Sequence, residues 1–70
     1  MSIHIGKIIK KEFLKRGCTK SWFALQINCD RTNINKIFER QSIDTDLLLK
    51  ISKVLEVDLF QFYQEEINCE

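Results

Sequence analysis

Apolar positions recur at helical spacing along almost the whole chain. Ile5, Ile9 and Phe13 repeat every four residues, with Ile8 beside them and lysines filling much of the remainder. That spacing predicts an amphipathic first helix over residues 3–16, closed by Gly17, which accepts the left-handed backbone of a helix end. Behind Thr19 comes a second apolar run, Trp22, Phe23, Ala24, Leu25 and Ile27. It stops at Asn28, one of the few non-glycine residues that tolerates the left-handed conformation. Ile34, Ile37 and Phe38 mark the inner face of a third helix opened by Asp30, and Cys29 before it returns to the interior. Leu47, Leu48, Ile51, Val54 and Leu55 give a strong fourth face over residues 44–55, where Ser52 is small enough for close packing. Phe60, Phe62 and Tyr63 place a short last helix over residues 59–64. The alternation Ile3, His4, Ile5 is too short for a strand, and His4 reads as a surface residue.

Four helix starts share one device: an apolar residue before the N-cap, matched by an apolar residue four positions into the helix. The sets are Cys18/Thr19/Phe23, Cys29/Asp30/Ile34, Ile43/Asp44/Leu48 and Val57/Asp58/Phe62. As N-caps, Asp30, Asp44 and Asp58 need no catalytic role. The pattern predicts an all-α fold of five short helices, one domain over residues 3–64, then an acidic, frayed tail over 65–70. The expected core is Ile9, Phe13, Phe23, Ala24, Ile27, Ile34, Ile37, Leu48, Ile51, Leu55 and Phe62.

Composition narrows what such a fold can do. Seventy residues make a single small domain that buries only about 60% of its unfolded surface. With 44% hydrophobic residues, two Gly and no Pro, the chain is compact rather than disordered. No apolar stretch approaches the roughly 20 residues that span a membrane, and no signal-peptide pattern is present. Ser2 does not fit N-myristoylation, and Cys69 stands too close to the end for prenylation. Cys18, Cys29 and Cys69 show no short spacing, which argues against a disulfide framework or a zinc site. Reduced thiols, no cofactor, no metal and a cytoplasmic location are expected. One His, no Gly-rich phosphate loop and no nucleophile–base pair argue against an enzyme.

The net charge of +1 hides a strong asymmetry. Residues 1–40 carry nine Lys and Arg against three Asp and Glu, net +6; residues 41–70 carry two against seven, net −5. Such a bipolar chain offers a basic face to phosphates while its other end repels them. The outward positions of the third helix are Arg31, Thr32, Asn33, Asn35, Lys36 and Arg40. Cations, planar amides and a hydroxyl are the groups that read base edges and phosphates. By helical spacing Asn35 falls to the side of Arg31 and Lys36.

The ordered set Phe23-Ala24, Ile27-Asn28-Cys29-Asp30 and Arg31-Thr32-Asn33-Ile34-Asn35-Lys36-Ile37 resembles the helix-turn-helix of the Cro/CI-type (lambda-repressor-like, XRE) DNA-binding domains. The likeness extends through Ile5-Gly6 to Gly17 on one side and over residues 42–63 on the other. It departs from that pattern at Asn28 and Glu56, where Gly is common, and at Glu39-Arg40-Gln41, where Glu-x-Gly is usual. Glu12 stands at an often apolar position, and Trp22 and Leu25 at often polar ones. The resemblance implies a sequence-specific regulator of transcription that binds double-stranded DNA through a recognition helix at about residues 31–38. Lys20 would touch a phosphate. Arg31, Thr32 and Lys36 would face the major groove, with Asn33 and Asn35 assisting at bases or backbone and Arg40 completing the contact set. It also implies a homodimer on paired half-sites, with Phe60 and Tyr63 as the candidate contact. The alternative is a protein-interaction module, an antitoxin or adaptor, that uses exposed apolar residues such as Trp22 on a protein partner.

Overall fold

His4 holds extended backbone, and its Nδ1 accepts the N–H of Lys7 at 3.2 Å, so the first helix begins at Ile5. The computed structural model describes residues 3–68; Ser2 and Cys69, both considered above, lie outside the described residues. Among the described residues there are five helices and no strand: α1 (Ile5–Arg16), α2 (Lys20–Gln26), α3 (Arg31–Glu39), α4 (Thr45–Leu55) and α5 (Phe60–Asn68). The all-α expectation is met.

The helix boundaries follow from local chemistry. Thr19, Asp30 and Asp44 are the N-caps of α2, α3 and α4. Only Thr19 among these three caps with its side chain, accepting the Trp22 N–H at 3.1 Å. Asp30 and Asp44 instead use their backbone carbonyls, which accept from Asn33 and Leu48 at 2.9 and 3.0 Å. Before α5, Asp58 Oδ1 accepts the Phe60 N–H at 3.1 Å. Each member of the four apolar pairs across these starts is buried in, or packed against, the core.

Three helices end through left-handed residues. Gly17 has φ 74°, Asn28 φ 57° and Glu56 φ 55°. After α2, Cys29 N–H donates to Ala24 O at 2.9 Å and Asn28 N–H to Leu25 O at 3.3 Å. These paired bonds satisfy the last carbonyls of α2 and turn the chain sharply into α3. Glu56 serves after α4 although it is not Gly. Arg16 braces it from α1, its Nη1 donating to Leu55 O at 3.2 Å and to Glu56 Oε1 at 3.3 Å.

Two expected ends move. The first helix starts at Ile5 rather than residue 3, because His4 is the cap. The last helix runs on to Asn68 rather than stopping at 64, so residues 65–68 are helical and not a frayed tail. Gln64, Glu65 and Glu66 are good helix formers, and no Gly or Pro follows Tyr63 to break the turn.

α2 packs on α3, and α1 lies against both α3 and α4. The Phe13 ring of α1 sits 5.3 Å, centroid to centroid, from Phe23 of α2 and from Phe38 of α3, tilted against each. Such tilted pairs add to burial energy. Ten of the expected core residues are buried; Phe62 is only half-buried. Ile5, Phe38 and Leu59 join the core. Leu59, in the turn before α5, is fully buried, and Phe62 packs against the core only in part. The buried Ser52 hydroxyl has no hydrogen-bond partner among the described residues.

One junction fixes α1 on α3. The Ile5 N–H donates to Gln41 O at 3.0 Å and the Gly6 N–H to Arg40 O at 2.9 Å. First-turn donors and post-helix carbonyls, which lack partners within their own helices, thus satisfy one another. A Cβ on Gly6 would lie 2.5 Å from the carbonyl oxygens of Ile37, Phe38 and Arg40. Glycine here allows backbone to meet backbone. Arg40 itself is extended, with φ −80° and ψ 134°, so α3 leaves without a left-handed turn.

Candidate functional site

The outer side of α3 carries cations, amides and a hydroxyl on a helix whose inner face lies in the core. Ile34, Ile37 and Phe38 anchor the helix in the core, leaving Arg31, Thr32, Asn35 and Lys36 exposed. Arg31 and Asn35 stand four residues apart and so share a face.

Three clefts surround this helix. The first, about 410 Å³, is lined by Thr19, Lys20 and Ser21 from the start of α2 and by Arg31, Thr32 and Asn35 from α3. Four of the residues singled out from the sequence, Lys20, Arg31, Thr32 and Asn35, are therefore brought together. The other three, Asn33, Lys36 and Arg40, line a separate cleft of about 310 Å³ with Cys29, Ile37 and Leu47. Asn33 is half-buried rather than fully outward. Asn35, expected to the side of Arg31 and Lys36, instead shares a cleft with Arg31, as their four-residue spacing requires.

The third cleft, about 400 Å³, was not anticipated. It is lined by His4, Lys7 and Lys10 of the α1 segment and by Asn35, Phe38 and Glu39 of α3. Lysines on the first helix read as ordinary solvated positions. The signal available in the sequence was the spacing of Lys7 and Lys10, one turn apart and off the apolar stripe.

The electrostatics are simple. Ion pairs among the described residues join Glu12 to Lys15 at 3.6 Å and Arg16 to Glu56 at 3.3 Å. The cations lining the three clefts, Lys7, Lys10, Lys20, Arg31, Lys36 and Arg40, take no part in them. The Thr19 hydroxyl is engaged as a cap. Burial pushes the Cys29 thiol up from its ordinary value; the Asp30 carboxylate adds to this and Lys50 pulls the other way. The thiolate is thus disfavoured, and Cys29 behaves as a small half-buried apolar residue.

The exposed apolar residues form a different set. Leu25 is 75% exposed, Trp22 39% and Phe60 37%. On α5, Phe60, Tyr63 and Ile67 fall at helical spacing along one side. Phe60 and Tyr63 line a groove of about 340 Å³ with Ser42, Ile43, Thr45 and Leu48.

Among the described residues no group of three or more His, Cys, Asp or Glu is placed to hold a metal ion, and no helix is long and apolar enough to cross a membrane. No protein-family model, curated protein or solved structure matches this chain.

Proposed function

We propose that this protein is a sequence-specific, double-stranded DNA-binding regulator of transcription, of the Cro/CI-type helix-turn-helix class. In this reading α2, the turn at residues 27–30 and α3 form the motif, and α3 enters the major groove. One observation carries it: Lys20, Arg31, Thr32 and Asn35 come together in a single cleft across the α2–α3 corner, and neither cation takes part in an ion pair among the described residues. A phosphate contact and base-reading groups are thereby presented from two packed helices, as groove recognition requires. Arg can hold guanine through two bonds, and Asn can do the same for adenine. Lys36 and Arg40 lie on the other flank of α3, where the second phosphate strand bordering the groove would run.

A single short helix binds weakly, so the active form proposed is a homodimer on two half-sites. The contact surface is α5, where Phe60, Tyr63 and Ile67 leave an apolar stripe.

Two substitutions test the reading by failing differently. Lys20→Ala should weaken binding to every duplex alike and lower the slope of log affinity against log salt by about 1 per subunit. Arg31→Ala should cost about 1–3 kcal/mol on the preferred site and relax the choice at one base pair per half-site. Site selection from random duplexes with each variant measures both. An unchanged selected sequence with Arg31→Ala would overturn the groove-facing role of that residue.

The second reading, a protein-interaction module, rests on the exposure of Trp22 and Leu25. It predicts no sequence preference to lose, with both variants behaving as small losses of general charge.

A further inference from the structure

The third cleft extends the basic surface beyond the residues assigned so far. Asn35 borders both it and the cleft at Lys20 and Arg31, so the two adjoin across the outer face of α3. Lys7 and Lys10 rise from one exposed side of α1, away from buried Ile5, Ile9 and Phe13. Neither pairs with Glu39, although all three line the same cleft. The bonds from Ile5 and Gly6 to Gln41 and Arg40 tie their helix to the end of α3. Two lysines on a fixed frame lose less freedom when they meet an anion than two on a loose arm.

The chemistry of the cleft selects its ligand. Lysine is a point charge suited to phosphate and carries no planar fork for base reading. Of the two rings in the lining, Phe38 is buried and half-buried His4 is held as the cap of α1 by the Lys7 N–H, so neither is a free platform for base stacking. What remains is sequence-blind attraction for a phosphodiester chain. We propose that the cleft between α1 and α3 is a second phosphate site, at which Lys7 and Lys10 hold the backbone of the same duplex that α3 reads; this rests on the DNA-binding function proposed above. Glu39 opposes the attraction and limits non-specific affinity.

Salt-dependent binding to random and to selected duplexes tests this. The proteins compared are the wild type, the double variant Lys7→Ala/Lys10→Ala, Glu39→Gln, and Lys53→Ala as a control on α4. Each exposed substitution is first checked for an unchanged urea midpoint. The double variant should lower the salt slope by about 2 per bound subunit, close to 1 for each lysine. Its affinity should fall in equal proportion on every sequence, with the selected site unchanged. Glu39→Gln should tighten binding to all duplexes, about three- to tenfold at low salt. Lys53→Ala should match the wild type. If the double variant keeps the wild-type slope while Lys20→Ala lowers it, the α1 site is wrong and the DNA-binding reading stands. If the double variant shifts the selected sequence, the lysines reach bases and the phosphate assignment is wrong. If the wild type binds no duplex, both proposals fall.

Discussion

Gly6 shows how much can rest on a missing methyl group. Its Cα hydrogens face the carbonyls of Ile37, Phe38 and Arg40, and any Cβ would stand 2.5 Å from all three. Backbone oxygens cannot step aside as a flexible side chain can. Gly6→Ala should therefore destabilise by about 1–3 kcal/mol, although alanine is the better helix former by about 1 kcal/mol. Urea unfolding measures this; a stabilised variant would mean that α1 does not sit so close. From the sequence, Gly6 was legible only as part of a family resemblance, since nothing local marks a glycine that lies against residues more than thirty positions away. Thr19, Asp30 and Asn28 were legible because their roles are settled by immediate neighbours.

At the level of elements, Glu56 is the strained point. A left-handed non-glycine residue costs about 1–2 kcal/mol, and α4 ends on one. The brace from Arg16 compensates in part, chiefly through the bond to Leu55 O, since the exposed ion pair is worth about 0–1 kcal/mol. Glu56→Gly removes the strain, keeps the bond to Leu55 O, and adds freedom to the unfolded chain worth about 0.4–1 kcal/mol. The expected net effect is a gain of about 0.5–1 kcal/mol, read as a higher urea midpoint with an unchanged slope. A loss of stability would show that the carboxylate–Arg16 contact outweighs the backbone strain. Periodicity located α4 and its last turn but could not choose the residue that bends. Likewise α5 outran its expected end: the acidic composition of residues 65–70 suggested a tail, while the helix propensity of Gln64, Glu65 and Glu66 and the four-residue spacing of Tyr63 and Ile67 favour another turn.

The proposed reading gives this 39 × 21 × 20 Å molecule a single recognition helix, so two half-sites about 34 Å apart call for two copies. The proposed dimer supplies the second. Ile67 is 77% exposed, so Ile67→Lys should leave the fold intact while converting dimer to monomer in sedimentation. Affinity for a two-half-site duplex should fall, and binding to a single half-site should not. A dimer that survives both Ile67→Lys and Phe60→Glu would remove α5 as the contact. The split of charge along the chain was readable at once. Its arrangement around α3 was not, because the third cleft needs α1 and α3 side by side, and the Gly6 junction and the Phe13–Phe38 contact that put them there join residues far apart in sequence.

That junction also has a meaning in time. α1 is the first of the five helices to leave the ribosome, yet the partners of its two ends come much later. Its N-terminal end docks on the carbonyls of Arg40 and Gln41, and its C-terminal end on Leu55 and Glu56, 39 and 40 residues beyond Arg16. α2 and α3, by contrast, are joined by a four-residue turn and can pair as soon as both exist. Phe13 meets its first aromatic partner once Phe23 has been made, but the bonds of Ile5 and Gly6 wait for Arg40 and Gln41, so that end of α1 must close a long loop before it is held. The N-terminal end of α1 therefore stays unanchored until α3 has been made, and its C-terminal brace waits for the end of α4.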